Sequence, residues 1–328
     1  MGTVGYPKGM EQGLFMTDID YRDYLRELGF AESELEQSML PDLATLKRLQ
    51  LAHLAQYPFQ SLTTILDRPV DLEESSVYNK VVERRAGGYC YELNGLFLSL
   101  LHHLGYEARI ITGRVIIDNQ LKKLNARTHM ALMVTTDSHN YLVDVGYGGL
   151  VPSAPLLFNY NQAGLNPQAD APKASQIQTT PHGRYKIIKD DSFQDQVENP
   201  ILPHAQVNYE RYILCCEVKS EWQMLYVFDL LPQTKIDMVV GSWYISNYPK
   251  SPFKSRLMVS RLDEDGVRHT LLNNQYRRHQ LNEPSQSRVV DGVDELLSLL
   301  KEVFFMNTAC ELTPSEQQKL NTFLADVV

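Results

Sequence analysis

Cys90 is the residue of this sequence whose position most favours nucleophilic chemistry. It lies just after the glycine pair of RRAGGYCYELNGLF, in the first turn of a predicted amphipathic helix. There the backbone N–H groups and the positive end of the helix dipole point at the sulfur, which favours the thiolate. Position alone is weak support, because most free cysteines are buried core residues. Cys215 and Cys216, in an apolar alternating run, are expected to be such residues.

His129 and Asp144 supply the two groups that activate a thiol nucleophile. His129 opens one predicted strand, and Asp144 lies late in its predicted hairpin partner. Residues near the open end of an antiparallel pair lie side by side, so the imidazole and the carboxylate can meet. The carboxylate would fix the imidazole tautomer that accepts the thiol proton. The three residues therefore predict covalent thiol catalysis with the chain order Cys, His, Asp.

The other histidines are weaker candidates for chemistry. His102 and His103 fall in the last turn of the Cys90 helix, where a cation complements the helix dipole. His53 belongs to an earlier helical stretch and fits either packing or a pocket, and His139 is predicted in a solvated hairpin turn. No histidine pair or carboxylate cluster has metal-ligand spacing, so we expect no metal.

A helical lobe is predicted to hold Cys90. From Asp18 to about Gly105 the apolar spacing is helical, and the last helix of this stretch runs from the glycine pair to Gly105. Its apolar stripe consists of Leu93, Leu96, Phe97, Leu100, Leu101 and Leu104. Two earlier stripes consist of Tyr24, Leu25 and Leu28, and of Leu43, Leu46, Leu49 and Leu54. This pattern is typical of a small helix bundle.

After Gly105 the apolar period changes to two, which predicts a sheet that carries His129 and Asp144. The alternating runs are EARIITGRVII, HMALMV, NYLVDVGY, YKIIKD, RYILCCEV, WQMLYVFDL and RLMVSRL. The stretch from Asn159 to His182 has neither period and is expected to be a long loop or insertion. Two further helices are predicted at DELLSLLKEVF and PSEQQKLNTFL.

Composition excludes several classes of protein. The chain has 328 residues with 43% hydrophobic and 22% charged residues, which fits a globular protein with a core and not a coiled coil or a disordered chain. A net charge of −9 disfavours nucleic acid and anionic membranes as partners. Four cysteines without a C-x-x-C pair, no signal-peptide pattern in the first 16 residues and no long apolar run lead us to expect a cytoplasmic protein.

The residues around the three candidates resemble the arylamine N-acetyltransferase family. The family pattern is R-G-G-x-C-x-E-x-N, then a histidine about forty residues later, then V-D-V-G-[FY]-G. This sequence has AGGYCYELN, THMALMV and LVDVGYG in the same order. The segments IDYRDYLRELGF, HLAQYPFQSL and WQMLYVFDLLPQTKIDMVVGSWYISNYPKSPFKSRLMVSR are also similar, so the resemblance covers about residues 17 to 285.

The resemblance implies an α+β fold of three lobes with a cysteine-protease-like Cys-His-Asp core. Residues 1–105 would form a helical bundle with Cys90, and residues 106–216 a β-barrel with His129, Asp144 and the polar insertion. Residues 217–328 would form an α/β lid.

The resemblance also implies a ping-pong reaction with acetyl-coenzyme A as co-substrate and no metal. Cys90 would take the acetyl group and pass it to an arylamine or arylhydrazine, or to the oxygen of an N-arylhydroxylamine. Coenzyme A and a small aromatic amine or hydrazine acceptor would be its partners, and nucleic acid and membranes would not. The donor cleft would be lined by Thr128, Gly148 and Gly149, and the acceptor site by Phe59, Tyr89 and Tyr147.

The sequence departs from the family pattern in two places. The arginine four residues before the nucleophile is Ala86 here, although Arg85 is adjacent. The family segment P-F-E-N-L is PFQSL, with Gln60 and Ser61 in place of a carboxylate and an amide. Donor and acceptor contacts are therefore left open by the sequence.

Other functions remain open for the same three residues. An amide synthase would take a carrier-bound acyl chain instead of a coenzyme A thioester. A transglutaminase-like or papain-like thiol hydrolase shares the Cys, His, Asp order and would need a groove for a peptide. A non-catalytic binding protein would lack one of the three residues, and this sequence has all of them.

Overall fold

The structure is a computed structural model that describes residues 19–37, 39–121, 125–158, 176–190, 210–307 and 311–326. Within these ranges it consists of helices and of two antiparallel sheets with eight and five strands. No helix in the described part of the chain has both the length and the apolarity needed to cross a membrane.

The helical part forms as the apolar spacing predicts. A buried cluster that includes Leu46, Leu49, Leu93 and Phe97 holds it together. Its longest helices have local signals at their starts: the Asp42 side chain accepts from the Thr45 N–H at 2.8 Å, which satisfies a free donor of the first turn. Its elements are α1 (Tyr21–Glu27), α2 (Glu32–Leu35), α3 (Leu43–Gln56), β1 (Phe59–Gln60), α4 (Leu62–Ile65), α5 (Glu74–Tyr78), a π-helical turn (Asn79–Glu83) and α6 (Cys90–His103).

The eight-stranded sheet curls into a nearly closed barrel. Its strands are β2 (Glu107–Val115), β3 (His129–Thr136), β4 (His139–Val143), β5 (Leu156–Leu157), β6 (Gln178–Thr180), β7 (Gly183–Lys189), β8 (Tyr212–Val218) and β9 (Glu221–Phe228). They lie in the order β5-β4-β3-β2-β9-β8-β7-β6.

The two edges of this sheet meet through one side chain. The Gln178 amide on β6 accepts from the Leu157 N–H at 2.7 Å and donates to the Leu157 carbonyl at 3.0 Å on β5. The Gln178 side chain therefore pairs with the backbone of β5 as a neighbouring strand would, at an edge that would otherwise lack a partner.

The structure corrects two details of the sequence reading of this sheet. The β3–β4 turn is the pair Asp137 and Ser138, both with left-handed φ (50° and 61°), so His139 begins β4 instead of lying in the turn. The expected loop over residues 159–182 is wrong at its end, because Gln178–Thr180 pairs with β7. A strand of three residues is too short to show alternation in a sequence. Residues 159–175 lie outside the described part of the chain.

The last part of the chain packs helices on the five-stranded sheet, whose order is β1-β10-β11-β12-β13. Its core includes Leu257, Leu271, Leu296, Leu300 and Leu320. The two helices predicted near the C-terminus are present. The elements are α7 (Lys235–Asn247), α8 (Pro252–Ser255), β10 (Met258–Leu262), β11 (Val267–Leu272), β12 (Gln275–Gln280), β13 (Gln286–Val289), α9 (Gly292–Glu302) and α10 (Pro314–Asp326).

These observations confirm the α+β class and the barrel. The lobe boundaries at 105 and 216 stay predictions. The barrel sheet itself extends past position 216, because β8 crosses that position and β9 pairs with both β8 and β2.

Candidate active site

Three elements bring Cys90, His129 and Asp144 together. Cys90 is the first residue of α6, His129 is the first residue of β3, and Asp144 directly follows the last residue of β4. Antiparallel pairing of β3 with β4 places His129 and Asp144 at the open end of the hairpin. All three are buried, with exposed fractions of 3%, 3% and 0%.

The Asp144 carboxylate accepts four hydrogen bonds. Oδ2 accepts from His129 Nε2 at 2.7 Å and from the Tyr226 hydroxyl at 3.2 Å. Oδ1 accepts from the Asn94 side-chain amide at 3.0 Å and from the Gly146 N–H at 2.9 Å. These four hydrogen bonds satisfy the polar atoms of a carboxylate that is fully buried. It therefore holds the imidazole in one orientation.

The His129 imidazole lies between Asp144 and Cys90. Burial lowers the pKa of His129, but the charge of Asp144, its hydrogen bond and a hydrogen bond with Cys90 outweigh burial and raise the pKa to about 10. Because Nε2 faces Asp144, the other ring nitrogen, Nδ1, is left for Cys90. The Cys90 sulfur also lies 3.7 Å from the Thr128 carbonyl oxygen. This arrangement can hold a thiolate beside an imidazolium.

We expect His129 to stay protonated at neutral pH and to lose its proton only in alkaline solution. A folded-state pKa raised from 6.5 to about 10 contributes stability that is complete below pH 6.5 and is lost as the pH rises through the folded value. Imidazole NMR shifts of labelled protein measure the titration directly. A midpoint near 6.5 for His129 in the folded protein would contradict the pairing with Asp144.

Asn94 is a residue of this site that the sequence analysis did not single out. It lies one turn after Cys90 on α6, and its amide donates to the Met130 carbonyl at 2.8 Å as well as to Asp144. Its side-chain oxygen accepts from the Val145 N–H at 2.9 Å. The spacing of four residues from the nucleophile was the available signal, because such residues share a helix face. Asn94 joins α6 to both strands of the hairpin.

Two tyrosine rings enclose the imidazole. The Tyr226 ring centroid lies 4.6 Å and the Tyr147 centroid 5.2 Å from that of His129. The Tyr147 hydroxyl donates to the Leu225 carbonyl at 3.0 Å. Tyr226 was also missed, since one tyrosine in an alternating strand does not show that its hydroxyl reaches a distant carboxylate. The rings exclude water from the imidazole and limit its rotation.

Gly146 allows the end of β4 to approach α6. A Cβ at this position would lie 2.6 Å from the Cys90 Cα and 2.8 Å from the Asn94 amide nitrogen. Real Cβ atoms do not tolerate such distances, so any side chain here must push the hairpin away from the nucleophile.

Gly146→Ala is expected to lower the free energy of unfolding by about 1–3 kcal/mol and to reduce activity. The atoms that the new Cβ would meet belong to the Cys90 backbone and to the buried Asn94 side chain, which cannot move aside easily. Gly95→Ala is the matched control: a Cβ there meets no atom within 4 Å, and alanine favours a helix interior by up to about 1 kcal/mol. Denaturant melts of both variants measure the difference. A neutral Gly146 variant beside a stabilised Gly95 variant would show that α6 and β4 are not in tight contact.

A cavity of about 570 Å³ opens on Cys90 and His129. Its wall is aromatic on the side of the five-stranded sheet, where the ring centroids of Phe59 and Phe253 lie 5.8 Å apart. Five of the six residues predicted to contact substrates line it: Phe59, Thr128, Tyr147, Gly148 and Gly149.

Tyr89 is the exception among the predicted substrate residues. Its side chain is buried outside this cavity lining, and its hydroxyl hydrogen-bonds the Ser242 hydroxyl of α7 at 2.5 Å. Its ring contacts Phe253 edge-on at 5.7 Å. The structure therefore places Tyr89 behind an aromatic residue of the wall.

Two of the three residues that depart from the family pattern line a second cavity. Gln60 and Ala86 both line a space of about 410 Å³ together with Lys80, and Cys90 and His129 are not part of this lining. Lys80 pairs with buried Glu92 at 2.6 Å, and Glu92 accepts from the Tyr89 N–H at 3.1 Å. Glu92 thus stabilises the start of α6. Arg85 does not line this cavity, and its side chain donates to Glu27 and Gln56.

The other candidate residues have structural contacts. His53 is buried and hydrogen-bonds the Tyr24 hydroxyl at 2.7 Å, His102 bonds the Ala108 carbonyl at 2.8 Å, and His103 stacks on Tyr21. Cys215 and Cys216 are buried on β8, as expected. Within the described ranges no group of three His, Cys, Asp or Glu side chains has the arrangement of a metal site.

Comparison with known proteins shows where this site belongs. A family model described as N-acetyltransferase matches residues 42–312. The arylamine N-acetyltransferase / N-hydroxyarylamine O-acetyltransferase of Salmonella typhimurium is 31% identical over 265 residues, 81% of this chain and 83% of the relative. The arylamine N-acetyltransferase of Mycolicibacterium smegmatis is 34% identical over 251 residues, 75% of this chain and 78% of the relative.

The fold has the same relatives. The structure of Mycobacterium marinum arylamine N-acetyltransferase in complex with CoA superposes with a TM-score of 0.76 at 28% identity, covering 94% of this chain and 99% of that one. Sequence, fold and family model agree over most of the chain, and the chain belongs to the arylamine N-acetyltransferase family of acyltransferases.

Proposed function

We propose that this protein transfers an acetyl group from acetyl-coenzyme A to the nitrogen of an arylamine or arylhydrazine, and to the oxygen of an N-arylhydroxylamine, through an acetyl-Cys90 intermediate. The observation that carries the proposal is the buried Cys90, His129 and Asp144 arrangement at the base of a cavity with an aromatic wall. Family membership supplies the reaction class, and coenzyme A is bound by a relative of the same fold.

In the first half-reaction the Cys90 thiolate attacks the thioester carbonyl carbon. The C–S bond to coenzyme A breaks, and its sulfur leaves with the electron pair. His129, protonated in the resting site, gives its Nδ1 proton to that sulfur and becomes neutral. In the first turn of α6 the Glu92 and Leu93 N–H groups donate to the Tyr89 carbonyl, so the Cys90 and Tyr91 N–H groups are the donors we expect for the carbonyl oxygen in the transition state.

In the second half-reaction the amine nitrogen attacks the acetyl carbon on Cys90. The neutral His129 accepts the proton that the nitrogen loses, and the Cys90 sulfur leaves as a thiolate. The resting pair of thiolate and imidazolium is restored. Asp144 stays ionised throughout and stabilises the imidazolium by its charge at 2.7 Å.

Different residues of the cavity lining would bind the donor and the acceptor. Thr128, Gly148 and Gly149 would contact the donor near its thioester, where the glycines let a ligand come close to the backbone. Phe59 and Tyr147 would border the acceptor ring, because aromatic side chains bind planar rings face to face or edge to face. Tyr89 would act on this wall indirectly, through its contact with Phe253.

The three lobes with predicted boundaries at 105 and 216 are part of the proposal. Because β9 belongs to the barrel sheet, the lid is the part of residues 217–328 that follows this strand. The cytoplasm is the proposed compartment, since free thiols at Cys90, Cys215 and Cys216 suit a reducing environment.

Steady-state kinetics with acetyl-coenzyme A and 4-anisidine test the proposed function. A ping-pong enzyme gives parallel double-reciprocal lines and exchanges labelled coenzyme A into acetyl-coenzyme A without acceptor. Turnover only with a carrier-bound acyl chain would identify an amide synthase instead, and release of free acid or peptide fragments without an amine would identify a hydrolase.

A further inference from the structure

Lys80 is tied to the start of α6 by its backbone as well as by its side chain. It lies in the π-helical turn (Asn79–Glu83), and its carbonyl accepts from the Ala86 N–H at 2.9 Å. Its ammonium donates to the Glu92 carboxylate at 2.6 Å. Because π-helical turns are rare and occur frequently at functional sites, this lysine is a candidate for a role in the reaction.

Glu92 acts at the same end of α6 as the nucleophile. Its side chain is 1% exposed, and its carboxylate accepts from the Tyr89 N–H at 3.1 Å. The Tyr89 side chain makes no capping hydrogen bond, and its hydroxyl bonds to Ser242. Glu92 therefore supplies the side-chain acceptor that fixes the first turn of α6, in which Cys90 is the first residue.

The Glu92 carboxylate also brings a negative charge to this end of the helix. In the proposed mechanism a thiolate lies at Cys90, and an oxyanion is bound by the Cys90 and Tyr91 N–H groups. A buried carboxylate without a partner would oppose both of these charges, and its own burial would be unfavourable. A cation that offsets the Glu92 charge removes this conflict.

Lys80 is the cation that forms the ion pair with Glu92 in the described part of the chain. The Lys80 side chain is 19% exposed, so water and salt screen the pair only weakly. Arg84 lines the same second cavity, but it pairs with Glu311 instead. Position 86, an arginine in the family pattern, is alanine here and contributes no charge.

We propose that Lys80 is a positioning residue for acetyl transfer, which offsets the charge of Glu92 so that this carboxylate caps α6 without disfavouring the thiolate at Cys90 or the oxyanion. Lys80 acts through Glu92 and touches no substrate. The inference rests on the proposed function in one respect, which is the role of Cys90 as the nucleophile.

A double-mutant cycle tests this role in the first half-reaction. Lys80→Met removes the charge at nearly the same side-chain length, and the rate of coenzyme A release from acetyl-coenzyme A should fall about tenfold. In the Glu92→Gln background, where an amide oxygen still accepts from the Tyr89 N–H, the same lysine change should lower the rate by less than about twofold. Rates are compared at a temperature at which circular dichroism shows every variant to be folded.

Two further variants serve as controls. Lys80→Arg keeps the charge, and the second cavity leaves room for a guanidinium, so this variant should retain most of the rate that Lys80→Met loses. Arg84→Gln removes an exposed cation of the same cavity whose partner is Glu311, and it should keep the wild-type rate within about twofold.

Alkylation of Cys90 by iodoacetamide is a second measurement, and it does not require acetyl transfer. Peptide mapping isolates this cysteine, and its rate of alkylation should fall in Lys80→Met and recover when Glu92→Gln is added. The inference is overturned if Lys80→Met keeps both rates, or if it lowers them equally in both Glu92 backgrounds, because charge compensation then plays no part. A wild-type protein that is alkylated at Cys90 but releases no coenzyme A would contradict the proposed function, and the alkylation rates would still decide the role of Lys80.

Discussion

Cys90→Ala is expected to lower the rate of acetyl transfer by at least roughly 10⁴-fold. In the proposed mechanism every acetyl group is bound to the Cys90 sulfur before transfer, and substrate binding alone cannot replace this covalent step. The fold should survive. The side chain loses one sulfur atom at the start of α6, whose N-terminus is still held by the Glu92 carboxylate on the Tyr89 N–H. Turnover of 4-anisidine and a thermal melt measure the two effects.

Cys216→Ala provides the matched control for this variant. Cys216 is also a buried thiol, but it lies on β8 within the barrel core and away from the catalytic cavity. The Cys216→Ala variant should be less stable than the wild type and should retain acetyl transfer. If both alanine variants retain turnover, Cys90 is not the nucleophile. If both variants lose turnover and also fail to show a folded-state thermal transition, the loss reflects folding, and Cys90→Ser becomes the informative variant.

Asp144→Asn is expected to reduce kcat/KM by about 10³–10⁴-fold with the architecture largely preserved. Asn94 and the Gly146 N–H both donate to one oxygen of Asp144, so the asparagine oxygen must stay on that side. Its NH₂ group then faces His129 Nε2 and forces that nitrogen to accept. The proton is left on Nδ1, which can no longer take one from the thiol. The negative charge that stabilises the imidazolium is also lost.

Two measurements test Asp144→Asn. The rate of the first half-reaction is monitored by the release of coenzyme A, and the pKa of His129 is measured by NMR titration. The pKa of His129 should move down from its raised value toward the ordinary range, because the Asp144 charge and hydrogen bond are the largest of the causes that raise it. Asp42→Asn, where either side chain caps α3, is the control and should keep activity. Wild-type rates in Asp144→Asn would contradict the tautomer argument.

The meeting of the three proposed catalytic residues could be predicted from the sequence because each lies at a place where local pattern is strong. The glycine pair and the leucine stripe fix the start of α6 at Cys90, and alternation on both sides of a turn pairs the strands that carry His129 and Asp144. Periodicity also predicted the C-terminal helices. These features depend on residues close together in the chain.

The supporting contacts could not be predicted in the same way. Tyr226 reaches Asp144 from β9, far along the chain, and Gln178 closes the barrel with a single side chain on a strand of three residues. Such contacts depend on how the sheet curls, which alternation does not encode. Contact of Tyr89 with the acceptor stays a prediction. Its place beside Cys90 suggested that contact, and the structure adds that the start of α6 directs the Tyr89 ring to Ser242 and Phe253.

Intact-mass analysis after brief mixing with acetyl-coenzyme A, in the absence of any acceptor, tests the central claim most directly. The account predicts one added acetyl group on the wild type, located on Cys90 by peptide mapping, absent from Cys90→Ala and discharged when 4-anisidine is added. A folded wild-type protein that gains no acetyl group, or that carries it on another residue, would contradict the assignment of Cys90 as the acyl carrier.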